Sequence, residues 1–304
     1  MTTPAATVKT VAADTPLRRF ARDFFSSRIA TAGFIALLLI VLAAVFAPVI
    51  APQNPYDLQH LDIMDSRLEP GTAAADGGMV YLLGTDDQGR DMLSAILYGV
   101  RISVAVGVIS TVIALLIGLT LGLVAGYAGG RIEALIMRIA DIQLAFPPIL
   151  VALILLALTG RGVDKIIIAL VTVQWAYYAR TARSTALVER KKEYIEAARA
   201  LGLSPLRIVF RHLLPNCMPP LIVVAALQVA SAISLEATLS FLGLGLPVTE
   251  PSLGLLIANG FQYLLSGRYW ISFYPGIALL LTVVAINLVA DQLRDVLNPR
   301  LQTQ

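Results

Sequence analysis

Charge is scarce in this sequence. Of 304 residues only 14% are charged, against 57% hydrophobic, and the mean hydropathy is +0.77. A soluble globule carries nearer a quarter charged residues, and a disordered chain needs low hydrophobicity, so composition excludes both classes. The single cysteine, Cys217, can form neither an internal disulfide nor a metal cluster, which leaves a free thiol or a small apolar core residue. Two histidines, His60 and His212, stand without an HExxH pattern or a cysteine pair, so no metal site is expected. No Gly-Lys dipeptide occurs, which excludes a phosphate-cradling Walker A loop. The formal charge of +3 is too small to point to nucleic acid, and none is expected as a partner.

What the chain does have is long apolar runs. They lie at 29–50, 102–125, 139–158, 163–182, 219–242 and 271–293, each near the roughly 20 residues a helix needs to cross hydrocarbon. The expected fold is therefore all-α, a polytopic membrane protein with six transmembrane helices. The first run exceeds the roughly 7–15 apolar residues of a signal peptide, which makes it a retained anchor. Asp164 and Lys165 sit inside the outer end of the fourth. With the N-terminus inside, 17 of the 23 lysines and arginines face the cytoplasm, which predicts cytoplasmic termini. The resulting organisation is an N-terminal tail 1–28, a first span 29–50, an outer region 51–100, a core 101–295 containing the inner loop 183–218, and a C-terminal tail 296–304.

The loops hold the residues free for chemistry or partners. The outer region carries Asp57, Asp62, Asp65, Glu69, Asp76, Asp86, Asp87 and Asp91 among glycines and prolines. An exposed acidic loop is expected there, which either attracts a cationic substrate or a delivery protein's basic patch, or is simply solvated. In the inner loop Glu189, Glu193 and Glu196 recur at spacings of four and three, which predicts one helix face. Gly202 suits a left-handed cap, Ser204-Pro205 reads as N-cap and first turn of a second helix, and Pro215 is expected to close it. Ala197, Ala198 and Ala200 offer a small-residue face to another protein's backbone; a bare amphipathic surface helix is the other reading.

Within the spans, Gly118, Gly122 and Gly126 repeat every fourth residue and let a neighbouring helix come close. Pro147-Pro148 must break the hydrogen-bond ladder, as a hinge or as a tolerated kink. Glu236 lies in a span, where an ionised group costs at least roughly 2.5–3.5 kcal/mol. With Gln228, Ser231, Ser234 and Thr238 it forms either a polar path or a helix–helix hydrogen bond, and Gln174 and Asn287 are of the same kind.

The run Tyr194-Ile195-Glu196-Ala197-Ala198-Arg199-Ala200-Leu201-Gly202, followed by Ile208 and Leu214-Pro215-Asn216, resembles the "EAA" loop of permease subunits of ATP-binding-cassette importers. Further matches are Leu83-Gly84-Thr85-Asp86, Gly89-Arg90-Asp91, Ala125-Gly126-Tyr127, Gly129-Gly130, Met137-Arg138, Asp141, Ala145-Phe146-Pro147 and Leu239-Ser240-Phe241-Leu242-Gly243-Leu244-Gly245. Together they resemble the C-type, second permease of the dipeptide/oligopeptide/nickel branch. Ala95, Leu253 and Ala290-Asp291-Gln292 depart from that pattern; they leave the coupling loop untouched but weaken any transfer of the family's substrate preference. The resemblance implies a type I ABC importer permease fold in a bacterial inner membrane and a non-catalytic subunit that binds no cofactor itself. It implies a heterodimer with a second permease, two ATPase subunits that bind ATP and Mg, and an external substrate-binding protein that delivers short peptides or related solutes. It also implies that Glu193, Glu196, Ala197, Ala198, Gly202, Ser204 and Pro205 couple the chain to its ATPase. An ion-coupled secondary transporter or channel is the alternative.

Overall fold

An apolar segment in hydrocarbon must satisfy its backbone N–H and C=O groups internally, and a helix does so within one segment. The structure, a computed structural model, describes residues 15–57, 61–247 and 250–297. Residues 1–14, His60 and residues 298–304 of the expected tails and outer loop lie outside the described residues. In chain order the elements are α1 (Pro16–Phe24), α2 (Arg28–Val45), α3 (Ala47–Ile50), a 3-10 turn (Ile63–Asp65), β1 (Thr72–Ala73), β2 (Val80–Tyr81), α4 (Met92–Ala128), α5 (Gly130–Ala145) and α6 (Pro148–Thr159). They continue with α7 (Val163–Glu189), α8 (Glu193–Ala200), α9 (Pro205–Ile208), a π turn (Val209–Leu213), α10 (Leu214–Phe241), α11 (Leu253–Phe261) and α12 (Trp270–Leu297).

Among the described residues, four helical stretches are long and apolar enough to cross a membrane: α2, α4, 205–241 and α12. The pair α5 and α6 makes a fifth if its two arms count as one. Hydropathy suggests six, and the difference lies in the third and fourth expected spans. The third expected span, 139–158, is not one helix, because α5 and α6 meet at 91°. Phe146, which precedes a proline, is held in the extended region (φ −92°, ψ 142°), and α6 restarts with Pro148 in its first turn. The fourth expected span forms α7, 27 residues long. It is not among the helices long and apolar enough to cross a membrane, with Asp164 and Lys165 near one end and Arg180 and Arg183 near the other. Its apolar residues Ile166, Leu170 and Val173 are instead buried in the bundle.

Two further expectations are corrected around the inner loop. Pro215 closes no helix: the chain stays helical from Pro205 to Phe241. A π turn lies just before Pro215, where the ring and the missing N–H must be accommodated, and Asn216 Nδ2 donates to the His212 carbonyl at 2.7 Å. Glu189, Glu193 and Glu196 do not share one helix, since Glu189 ends α7 and the chain turns before α8 begins. Between the end of α7 and the start of α9 the connection is 190–204, with α8 inside it. Nor is the outer region an exposed acidic loop throughout, because Asp65, Asp86 and Asp91 are buried.

At the centre of the bundle α4 lies along α7, and α10 packs on both. A β-carbon on Gly122 would sit 2.5 Å from the Ala179 carbonyl oxygen and 2.6 Å from Ala182 Cβ, and one on Gly126 would sit 2.7 Å from Ala186 Cβ. Gly118 likewise faces the Trp175 carbonyl and Tyr178. Backbone thus meets backbone over two turns. Cys217 is buried beside this seam with Tyr178, Leu213 and Leu221, the apolar-core reading of the two. Gly122→Val is expected to cost about 1–3 kcal/mol or more by overpacking the seam, read as a lower thermal midpoint in detergent; an unchanged midpoint would show that the seam can open without cost.

Candidate functional site

Eight residues make α8 too short to hold together alone, so its place depends on what it touches. Ile195, Ala198 and Ile208 are buried together and pack against Tyr127, at the end of α4, and Leu203. Arg199 lies over the Tyr127 ring at 5.7 Å. Arg190 Nη1 donates to the Gly126 carbonyl at 2.7 Å, tying the turn before α8 to α4. Glu189, at the end of α7, accepts from Lys192 Nζ and from the Tyr194 hydroxyl, both at 2.7 Å. Burial, and then that donation to Glu189, push the Tyr194 phenol well above its ordinary range. Arg183 pairs with Glu133 and Arg180 with Asp141, the latter at 2.6 Å, joining α7 to α5.

The exit from α8 follows from Gly202. Its φ of +71° is the left-handed conformation, and a β-carbon there would meet nothing within 4 Å. The Leu203 N–H reaches the Ala198 carbonyl at 3.2 Å and the Gly202 N–H reaches that of Arg199 at 2.9 Å, the paired bonds of a Schellman cap. Ser204 Oγ then accepts from Arg207 N at 3.4 Å, with Pro205 in the first turn of α9. Glu193, Glu196, Ala197, Ala200 and Gly202 are exposed, beside Leu201 at 79% and Leu206 at 70% exposure. Ala198 departs from the expected docking face: it turns inward and holds α8 to the membrane helices.

The polar residues of the spans divide into two groups. Glu236 is fully buried and accepts from Ser103 Oγ of α4 at 2.8 Å and Ser240 Oγ at 2.7 Å. Gln174 of α7 donates to the Gln228 carbonyl at 3.0 Å and faces Thr111 of α4 at 3.5 Å. Both lie inside the chain's own bundle, in the geometry of helix–helix hydrogen bonds. Ser231, Ser234 and Thr238 lie on the exposed side of α10 instead.

At the far end of α4 the outer segment forms a polar knot. Asp86 Oδ2 accepts from Arg90 Nε at 2.6 Å with both side chains fully buried, and its Oδ1 accepts from the Gln88 and Arg90 amides, both at 2.9 Å. Asp91 caps α4 through Ser94 N at 2.8 Å. Trp270 Nε1, at the start of α12, donates to the Thr85 carbonyl at 3.2 Å. Asp65 accepts from Tyr81 Oη at 2.8 Å; burial first, then that bond, push the Tyr81 phenol well up. Asp86 and Arg90 were visible as an aspartate and an arginine four apart. No local pattern pointed to Arg190 on the Gly126 carbonyl, which joins residues 64 apart.

Residues 118–303 match the family described as "Binding-protein-dependent transport system inner membrane component", and residues 15–70 match "N-terminal TM domain of oligopeptide transport permease C". The dipeptide transport system permease protein DppC of Escherichia coli (strain K12) is 41% identical over 288 residues, 95% of this chain and 94% of that protein. The di/tripeptide transport system permease protein DppC of Pseudomonas aeruginosa (strain UCBPP-PA14) is 39% identical over 94% of this chain and 93% of its own. Among solved structures, the inward-facing MetNI methionine ABC transporter is similar at a TM-score of 0.57 and 22% identity, over 68% of this chain and 98% of that chain. At that identity the likeness bears on the fold alone.

Two outcomes follow from the geometry. Arg190→Ala removes a charge-assisted hydrogen bond of about 1.5–3 kcal/mol, so amide exchange in α8 should accelerate by roughly tenfold or more while that of α10 stays as it was; equal exchange would mean α8 is held without it. Glu236→Ala leaves the Ser103 and Ser240 hydroxyls without their acceptor, at about 1–3 kcal/mol for each unsatisfied group. Its thermal midpoint should therefore fall further than that of Glu236→Gln, and the reverse order would contradict the hydrogen-bond assignment.

Proposed function

This chain belongs to the family of binding-protein-dependent transport system inner membrane components, and from that premise we propose that it forms half of the transmembrane path of an ATP-driven importer of short peptides. The membrane permease role follows from the family. The peptide cargo is inferred from relatives about 40% identical over most of the chain that are named for dipeptide or di/tripeptide transport. In this reading the chain sits in a bacterial inner membrane with both termini cytoplasmic. It pairs with a second permease, receives cargo from an external binding protein, and takes its energy from two ATPase subunits that bind ATP and Mg.

The observation that carries the reading is the joint at α8. Glu193, Glu196, Ala197, Ala200 and Gly202 face outward from a helix whose inward residues, Ile195 and Ala198, are locked to α4 and α9. An ATPase surface closing on that face pushes on a rigid part. The push reaches α4 through Arg190 and Gly126 and reaches α7 through Tyr194 and Glu189. Because α4 and α7 touch backbone to backbone, they shift as one body, and packed helices switch between discrete arrangements rather than bending continuously. Ser231, Ser234 and Thr238, on the open side of α10, then line the path together with the second permease.

The test is uptake of a labelled dipeptide by vesicles holding the complete transporter. Glu196→Lys places a positive charge where a carboxylate meets the ATPase, and Gly202→Pro removes the amide that caps α8. Each should lower uptake at least about tenfold, about 1.4 kcal/mol of lost coupling, with the subunit still inserted and ATP still hydrolysed by the partners. Normal uptake in both variants would discard the joint as the coupling element.

A further inference from the structure

α1 has no part in the joint or the path, yet it is built with care for both faces. Arg18, Arg19 and Arg22 fall on one arc of the helix and Phe20 and Phe24 on the opposite one. The aromatic arc is clasped to α2: the Phe24 ring meets Phe34 edge-on at 6.0 Å, and Phe25 meets Phe34 at 5.6 Å. Phe20 stacks on Phe24 at 6.3 Å. On the other side Gln292 Nε2 of α12 donates to the Asp23 carbonyl at 3.1 Å. A nine-residue helix is thereby pinned across the ends of two spanning helices.

Between the three helices lies a notch of about 350 Å3, lined by Phe20, Ala21, Phe24, Phe34, Val289 and Leu293 among its apolar side chains. That size falls in the roughly 300–1,000 Å3 range of small-molecule clefts. Its surroundings are charged with an excess of one sign. Arg18, Arg19, Arg28 and Arg294, each close in sequence to a residue that lines the notch, are exposed, and Arg22, 3.7 Å from Asp23, adds a fifth positive charge on α1. Asp23, Asp291 and Asp295 offset only part of this. An apolar slot beside arginines, at the ends of two helices long and apolar enough to cross a membrane, matches one kind of molecule: an acyl chain joined to a negatively charged headgroup. Guanidinium groups suit its phosphate because their paired N–H donors match two of its oxygens.

We propose that this notch binds an anionic phospholipid, one acyl chain among the phenylalanines and the headgroup phosphate against the arginines of α1 and α2. The lipid then acts as the fourth wall of the α1–α2–α12 junction and keeps α1 flat in the interface. A free phosphate would satisfy the arginines and leave the apolar slot open, so the chain and the headgroup are both needed.

The test is native mass spectrometry of the full chain released from nanodiscs of an equal mixture of phosphatidylcholine and phosphatidylglycerol. The wild-type chain should retain phosphatidylglycerol in preference, and millimolar inorganic phosphate should not displace it. Each basic residue near an anionic surface is worth about fivefold in affinity, so the Arg18→Gln/Arg19→Gln double variant should lose about 25-fold of that preference. Ala21→Trp, which fills the notch and leaves every charge in place, should lower retention of phosphatidylglycerol while amide exchange in α4, α7 and α10, away from the notch, is unaltered. Equal retention of the two lipids by the wild-type chain, a preference that survives in the double variant, displacement by phosphate, or full retention in Ala21→Trp would each overturn the proposal.

Discussion

In a bilayer no hydrophobic force presses one apolar helix against another, because lipid is as apolar as leucine; helices stay together only where they fit closely or share hydrogen bonds. The contact of α4 with α7 is the place where this chain meets that condition most completely. Three glycines four residues apart clear a strip on α4, and the carbonyls and alanines of α7 occupy it. The consequence for α7 is large. It is not among the helices apolar enough to read as spanning, yet it is retained in the bundle because its partner lets it come close enough for dispersion contacts to accumulate along its length.

Buried polar groups then settle how the helices are aligned. Glu236 joins α10 to α4, and Gln174 joins α7 to α4 and α10. Each such group is costly in an apolar interior unless it finds its partner, so a helix displaced from this alignment loses the compensation and not merely a contact. The buried Asp86–Arg90 pair does the same outside the bundle. Such a pair adds little to net stability, since both ions give up water, but breaking it leaves a charge unmatched. It holds the outer segment in one shape over the starts of α4 and α12.

α4 therefore has a fixed attachment at each end: the outer knot at Asp91 and the α8 joint at Gly126 and Tyr127. Its 37 residues run about 56 Å at 1.5 Å per residue, well beyond the roughly 30 Å of hydrocarbon. Through this one helix the α8 end and the knot at Asp91 belong to one continuous rigid element. The 91° break between α5 and α6 and the π turn before α10 interrupt the regular helical ladder beside this element.

Much of this was legible in residue order. Apolar runs gave membrane helices, the four-residue glycine repeat predicted a close neighbour, Gly202 and Ser204-Pro205 marked the end of one helix and the start of the next, and the ordered motifs pointed to the importer family. These signals are local, set by periodicity, by φ and by missing donors, and local physics is written in neighbouring residues. Pro215 misled because a proline stop is only a tendency, and a π turn just ahead of it let the helix continue. Glu189 misled because a spacing of four holds only while the helix lasts. Which partner each buried group takes was decided by the tertiary structure alone: Arg190 on the Gly126 carbonyl, Ser103 on Glu236 and Trp270 on the Thr85 carbonyl are 64, 133 and 185 residues apart. Spacing along the chain carries no record of such contacts, because they come into being only when the helices have packed and water has been excluded from between them.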